Sequence, residues 1–179
     1  FIQSADVVIV EVNTSQPMEL VGMHDIYIPL DPPNRLPIPI TKAGDRIGTT
    51  FMPCPLDKIK YIVPCDITDK TRALAPVDDI ARKMGQFTVD LLKKEIAEGR
   101  MPKGLLPLQS GVGNVANAVI AGFVSSDFTD LEVYTEVIQD GMFDLADAGK
   151  LKFASGTAFS PSPEGLQRFY KDIEKYKKI

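Results

Sequence analysis

The sequence predicts an α/β protein with a mostly parallel sheet and flanking helices. Strand-like and helix-like segments alternate after Pro76, the pattern of strands joined by crossover helices. A run rich in β-branched residues at positions 5–12 predicts a buried strand. Ten of the 14 prolines lie at or before Pro76, so we expect strands and irregular connections there and regular helices beyond it.

The first part of the chain predicts short strands separated by proline-rich connections. After residues 5–12, we expect further strands at residues 25–29 and 60–65. Residues 31–39 are predicted to be neither strand nor helix, because their prolines remove amide donors. Residues 68–76 are interpreted as a linker.

The strongest helix prediction covers residues 77–98. Its apolar side chains recur at helical spacing and predict one apolar stripe, formed by Ile80, Met84, Phe87 and Leu91 and widened by Leu92 and Ile96. Gly99 is the expected stop of this helix, with Pro102 just beyond it.

The remaining elements alternate along the chain. We expect a helix at 114–123, a strand at 131–138, a short helix at 140–148 capped by Asp140 and stopped by Gly149, and a strand at 151–154. A last helix is predicted to open near Ser162, with four residues on one face: Leu166, Phe169, Ile173 and Tyr176.

Composition narrows the classes of function. A length of 179 residues fits one domain or pieces of two, and the first and last residues suggest a fragment at both ends. A net charge of −4 without a Lys/Arg cluster predicts no nucleic-acid partner. No apolar run approaches the ~20 residues of a membrane span, and the start lacks a basic signal-peptide region, so a cytoplasmic protein is expected.

The metal-binding residue types are sparse. Cys54 and Cys65 are expected to be free buried thiols, because nothing in the sequence suggests secretion. His24 is the only histidine, so no metal site is predicted.

A glycine-rich segment opens the predicted helix at residue 114. Gly111 and Gly113 let a ligand approach the backbone closely, and the first amides of a helix have no internal partners. Such a loop binds phosphate or an oxygen that becomes negative during a reaction. The alternative is a turn that only lets helix and strand pack.

The same letters also fit the dinucleotide-binding pattern G-x-G-x-x-A. Glu136 lies near the position, ~20 residues further on, where an acidic residue would hold a ribose hydroxyl. That pattern requires a good strand directly before Gly111, whereas residues 105–110 are short and interrupted by Pro107. Asn114 also places a polar side chain that the pattern does not need.

Glu136 stands where an apolar run ends and a turn begins. Strand alternation puts Glu132, Tyr134 and Glu136 on one face. If that face were the core, partial desolvation would raise the pKa of Glu136 and strengthen it as a nucleophile. Otherwise Glu136 is a solvated residue at a strand end.

Two stretches resemble a known family closely. They are LPLQSGVGNVANAV at residues 106–119 and YTEVIQDG at residues 134–141, and they resemble the acetyl-CoA hydrolase/transferase family. That family includes succinyl-CoA:acetate CoA-transferases and belongs with the class I CoA-transferases. Residues 22–26 and 154–160 are similar too, so the resemblance covers essentially the whole chain. It implies a class I CoA-transferase fold, with residues 1–76 as the end of a first domain and linker and residues 77–179 as the start of a second.

The resemblance also implies roles for individual residues. Glu136 matches the nucleophile that forms a glutamyl-CoA thioester, and the Val112 amide matches one oxyanion donor. Gly111, Gly113 and Asn114 would contact the substrate. Arg72 would hold the acceptor carboxylate, although Lys70 is equally close in the sequence.

The implied partners are an acyl-CoA and a small carboxylate such as acetate or succinate. Coenzyme A is then a substrate, no cofactor is needed, and the assembly is a homodimer. In the family a second oxyanion donor comes from a later glycine loop that this sequence does not contain, so we expect residues 1–179 alone to be inactive. Hydrolysis and transfer both remain open, and an NAD-binding domain of an oxidoreductase is the alternative function.

Overall fold

The computed structural model describes residues 1–71, 73 and 76–179. Its strands are β1 (Val8–Asn13), β2 (Ile59–Cys65), β3 (Leu131–Ile138) and β4 (Leu151–Phe159). Its α-helices are α1 (Asp79–Ala97), α2 (Asn114–Ser125), α3 (Asp140–Asp147), α4 (Pro163–Lys171) and α5 (Ile173–Tyr176). The chain forms two compact units, one of residues 1–40 and 46–70 and the other of residues 41–45 and 71–179.

The first unit is built on the parallel pair β1 and β2. Their register runs from Val8 opposite Ile59 to Asn13 opposite Cys65. The prediction of a strand near residues 5–12 is confirmed, but the prediction that it is buried is wrong, since Ile9 is 62% exposed. The physical reason is that the described part of this unit contains no α-helix to cover the sheet.

The predicted strand at residues 25–29 does not form. Ile26 makes only an isolated antiparallel bridge to Thr49. The Asp25 carboxylate accepts hydrogen bonds from the amides of Ile47 and Gly48, at 3.2 and 2.7 Å, and so shapes a turn-like contact instead. Residues 31–39 contain neither strand nor helix, as their prolines predict.

The second unit contains the parallel pair β3 and β4. Leu131 lies opposite Leu151, and Ile138 lies opposite Phe159. Leu108 adds a parallel bridge to Val133. The predicted bounds of β3 are confirmed, whereas β4 runs five residues beyond the predicted end at residue 154. Gly156 allows this extension, because a Cβ there would lie 2.8 Å from a side-chain carbon of Ile138.

The core of the second unit lies between β3 and the helices. It is formed by Val89, Leu105, Ile120, Phe123, Phe128, Leu131, Val133, Met142 and Leu145. Helix α3 approaches α2 closely at Gly141, where a Cβ would lie 2.5 Å from Ile120 Cγ2. This apolar cluster contains residues of α1, α2, β3 and α3, and so holds these four elements together.

Helix α1 packs through a different face from the one predicted. Its buried residues are Ala81, Gly85 and Val89. The predicted stripe is 46–69% exposed at its four main positions, Ile80, Met84, Phe87 and Leu91, whereas Leu92 and Ile96, which were predicted to widen it, do pack against the core. Small residues form the contact face because the α1 backbone lies directly against α2. A Cβ at Gly85 would lie only 2.5 Å from the Ala118 carbonyl oxygen.

Asp140 does not cap α3 as predicted. Gln139 occupies the N-cap position, and the Asp140 carboxylate instead accepts a hydrogen bond from the Ser162 amide at 3.0 Å. Ser162 in turn caps α4 by accepting from the Gly165 amide at 3.0 Å. Asp140 therefore links the starts of α3 and α4.

The end of the chain matches its prediction. Leu166, Phe169, Ile173 and Tyr176 are all buried, although the helix is interrupted at Asp172 between α4 and α5. Cys54 and Cys65 are free and only half-buried. Within the described residues, no helix combines the length and apolar character needed to cross a bilayer.

Candidate active site

Glu136 projects from the exposed face of β3, two residues before the strand ends. The buried face carries Leu131, Val133 and Thr135, and Glu136 is exposed. Glu136 therefore does not lie on the core face of β3 within this chain, so the partial desolvation considered from the sequence does not occur here. The backbone of Glu136 is held by Thr157, whose hydroxyl donates to its carbonyl oxygen at 3.0 Å.

The glycine loop presents open backbone in front of α2. Gly113 is the N-cap of α2 with a φ of 126°, a conformation that favours glycine. A Cβ at Gly111 or Gly113 would meet no atom within 4 Å. Val112 is 67% exposed, and its amide has no hydrogen-bond partner among the described residues. The loop is thus open to a ligand at its backbone.

Asn114 is engaged in the structure itself. Its side-chain amide donates to the Asp78 carboxylate at 3.2 Å. Asp78 also caps α1 by accepting from the Ala81 amide at 2.7 Å. Asn114 therefore ties together the starts of α1 and α2, a role that its sequence position did not predict.

A residue outside the sequence prediction joins the loop to the strand. The Thr135 hydroxyl accepts a hydrogen bond from the Ser110 amide at 3.2 Å and donates one to the Ser110 carbonyl oxygen at 2.9 Å. Ser110 lies two residues before Val112, and Thr135 directly precedes Glu136. Strand alternation was the sequence signal that could have indicated this contact, because it places Thr135 on the face opposite Glu136.

The loop and the residues after Glu136 also border one small recess. Its volume of about 10 Å³ is on the scale of a single water molecule. It is lined by Ser110, Asn117, Ile120, Val137, Gln139, Gly141 and Met142. The structure thus brings the start of the glycine loop beside the turn that follows Glu136.

Three other sequence predictions concern Arg72, a metal site and the segment before Gly111. The role predicted for Arg72 falls outside the described residues. Among the residues that the structure describes, no group of three or more His, Cys, Asp or Glu side chains could hold a metal ion. The interruption predicted before Gly111 is observed, since Leu108 makes a single bridge and Leu105 has a positive φ of 59°.

Comparison with known proteins gives strong similarity along nearly the whole chain. The succinyl-CoA:acetate CoA-transferase of Clostridium kluyveri is 53% identical over 173 residues, which are 97% of this chain and 32% of that protein. The chain belongs to the family of succinyl-CoA:acetate CoA-transferases and acetyl-CoA hydrolases. The acetyl-CoA hydrolases of Neurospora crassa and Schizosaccharomyces pombe are 48% and 43% identical over 175 residues, each covering 98% of the chain and 33% of the relative.

The matched relatives are much longer than this chain. This member of the CoA-transferase and hydrolase family spans about a third of the length of the curated relatives it matches. No family model matches the chain. A solved RipA structure is 21% identical, with a TM-score of 0.42 over 59% of this chain and 27% of that one. This likeness is too weak to indicate a shared fold. The alternative of an NAD-binding oxidoreductase domain finds no support among these relatives.

Proposed function

We propose that this chain is the nucleophile-bearing part of an acyl-CoA:carboxylate CoA-transferase, a class that includes acetyl-CoA hydrolases. Glu136 is the nucleophile and the Val112 amide is an oxyanion donor. Gly111 and Gly113 leave the backbone open to the thioester, and Arg72 binds the acceptor carboxylate. The substrates are an acyl-CoA and a small carboxylate such as acetate or succinate, and coenzyme A is a substrate, with no cofactor required.

The chemistry follows from the nucleophilicity of a carboxylate toward an activated thioester. The Glu136 carboxylate attacks the acyl carbonyl, and the oxygen that becomes negative is stabilised by the Val112 amide. The C–S bond breaks, giving an acyl-glutamyl anhydride and CoA thiolate. The thiolate then attacks the glutamyl carbonyl, which releases the acyl group as a carboxylate and leaves a glutamyl-CoA thioester. An acceptor carboxylate reverses these steps and regenerates Glu136, whereas water would hydrolyse the thioester.

One observation carries the proposal. The reciprocal hydrogen bonds between Thr135 and Ser110 join the strand segment that bears Glu136 to the loop that bears Val112. A nucleophile and an oxyanion donor have to face the same reacting carbonyl. The relatives named CoA-transferase and acetyl-CoA hydrolase add support, because the proposed acyl transfer needs both a nucleophile and an oxyanion donor.

The wider organisation is part of the same proposal. We infer the class I CoA-transferase fold, with residues 1–76 ending a first domain and residues 77–179 beginning a second. A homodimer and a cytoplasmic location complete it. Residues 1–179 alone are expected to be inactive, because the family's second oxyanion donor is absent from this sequence; CoA transfer by these residues alone would contradict that expectation.

The test traps the covalent intermediate on the full-length protein. After incubation with an acyl-CoA, borohydride reduces a glutamyl thioester to an alcohol, and peptide mass spectrometry locates it. We expect the modification on Glu136, and Glu136→Gln lowers kcat by roughly 10³-fold or more because an amide is a poor nucleophile. Modification of another residue, or none, would refute the mechanism.

The matched control is Glu132→Gln, on the same face of β3. Glu132 pairs with Lys152 at 2.7 Å and has no role in the proposed reaction, so kcat should stay within roughly threefold of the wild type. Acceptor dependence is read in the same assay. CoA exchange that requires added acetate or succinate identifies a transferase, and CoA release without them identifies a hydrolase.

A further inference from the structure

We propose that Thr135 is the positioning residue that sets the glycine loop against the nucleophile strand. This inference rests on the proposed function, because it concerns how Glu136 and Val112 come to face one carbonyl. Thr135 itself touches neither substrate nor reacting atoms. Its hydroxyl acts through the backbone of Ser110, and the loop geometry follows from that contact.

The backbone pairing shows why a side chain is needed at this point. The Leu108 amide donates to the Glu132 carbonyl at 2.8 Å, and the Tyr134 amide donates to the Leu108 carbonyl at 2.9 Å. A continued parallel ladder would next take the Ser110 amide to the Tyr134 carbonyl. Instead, the Ser110 amide donates to the Thr135 hydroxyl at 3.2 Å. The loop leaves the sheet at Ser110 without losing its attachment.

The Thr135 hydroxyl satisfies both polar groups of Ser110 at once. A hydroxyl offers one donor and two acceptor positions, so it can accept from the Ser110 amide while donating to the Ser110 carbonyl. Thr135 is only 6% exposed, and an unpaired polar group there would be costly. The contact is therefore both directional and energetically favoured.

The position of this contact in the chain makes it relevant to chemistry. Val112 follows Ser110 by two residues, and Glu136 follows Thr135 directly. Beyond Ser110, a Cβ at Gly111 or Gly113 would meet no atom within 4 Å, so no neighbouring group crowds the loop at those glycines. The Thr135 hydroxyl thus holds the side of the loop that adjoins the Glu136 strand, while the bond from Asn114 to Asp78 holds the other side.

The experiment compares Thr135→Val with Thr135→Ser in the full-length protein. Valine keeps the shape and removes both hydrogen bonds, whereas serine keeps the hydroxyl. We expect Thr135→Val to slow formation of the Glu136 thioester by roughly 10- to 100-fold, with kcat falling more than KM changes. Thr135→Ser should restore the rate to within roughly threefold of the wild type.

Thr129→Val is the matched control, since Thr129 is exposed before the other end of β3 and its hydroxyl donates to the neighbouring Asp130 carboxylate. It should form the thioester at the wild-type rate. If Thr135→Val does not fold, Thr135→Cys, a weaker donor of similar size, takes its place with the same expected slowing.

The outcomes separate the two proposals. A wild-type protein that forms no adduct on Glu136 overturns the proposed function itself. A wild-type adduct that forms equally fast in Thr135→Val overturns only the positioning role, even if that variant melts at a lower temperature.

Discussion

The carboxylate of Asp147 accepts hydrogen bonds from three side chains, those of Arg168, Lys175 and Tyr176. Burial raises the pKa of Asp147, but the bonds from Lys175, Arg168 and Tyr176 outweigh it and lower the pKa to about 2. The Tyr176 hydroxyl contributes at 3.1 Å. Since Asp147 ends α3 and its partners lie on α4 and α5, this carboxylate joins three helices.

Replacing Asp147 tests that linkage through its pH dependence. The folded pKa lies below the ordinary value of 3.8, so the stabilisation is fully present above about pH 4 and is lost as the pH falls through about 2. Asp147→Asn should lower the free energy of unfolding at pH 7 by about 1–2 kcal/mol, after allowance for partial exposure. Urea unfolding at pH 7 and at pH 2.5 should show the difference from the wild type shrinking.

The control for this prediction is Asp79→Asn, whose carboxylate is 96% exposed beside Arg82. Its effect at pH 7 should not exceed about 0.5 kcal/mol. An Asp147→Asn protein as stable as the wild type at pH 7 would show that the three bonds contribute nothing net.

At the scale of elements, helix α1 packs through small residues that allow close backbone contact, rather than through its largest apolar side chains. Phe87, its largest apolar side chain, is 68% exposed, while Gly85 lies against the Ala118 carbonyl. Periodicity in the sequence counts large side chains and overlooks a stripe of small ones. The contact face of α1 is thus governed by how near two backbones approach.

Substitution of Gly85 should therefore destabilise the fold, although alanine is the better helix former by ~1 kcal/mol. A methyl group 2.5 Å from the Ala118 oxygen forces α1 and α2 apart, and we expect a net loss of about 1–3 kcal/mol. Thermal and urea unfolding of Gly85→Ala measure it. Lys83→Ala, exposed on the same helix, should change stability by less than about 0.5 kcal/mol; equal stability of the two variants would contradict the close contact.

The predictable part of the fold was its element order. The strand predicted at 131–138, the helix predicted to begin at residue 114 and the stop of α1 before Gly99 are confirmed, because the signals for these features are local. The strand at residues 25–29 failed since no neighbouring strand pairs along it. The exposure of Glu136 and the contact between Thr135 and Ser110, 25 residues apart, depend on tertiary pairing that one sequence does not encode locally. The motif therefore predicts the candidate site residues, whereas the contact between Thr135 and Ser110 became visible only in the structure.

At the scale of the whole molecule, the two units differ in how well they protect their sheets. No residue of β1 is buried within the described chain, and β1 has β2 as its neighbour. In contrast, β3 buries Leu131, Val133 and Thr135 and is flanked by β4 and by the bridge at Leu108. Local stability is expected to follow this difference in burial.

Hydrogen–deuterium exchange on the 179-residue chain measures that difference directly. The amides of β3 should exchange more slowly than those of β1 by roughly tenfold or more, because opening β3 exposes the apolar core. Peptides from α2, which packs against the same core, provide an internal reference and should resemble β3. Equal protection of β1 and β3 would show that β1 is covered by something besides the described contacts.

The short connection from β3 to α3 affects how firmly the Glu136 backbone is held. Gln139 alone separates the two elements, and Asp140 braces the start of α3 against Ser162. The backbone of Glu136 is therefore held close to the start of α3, while Val112 lies between two attachments of the loop, at Ser110 to Thr135 and at Asn114 to Asp78. We therefore expect any adjustment of the distance between the Val112 amide and the Glu136 carboxylate to come from the loop between these attachments rather than from the strand.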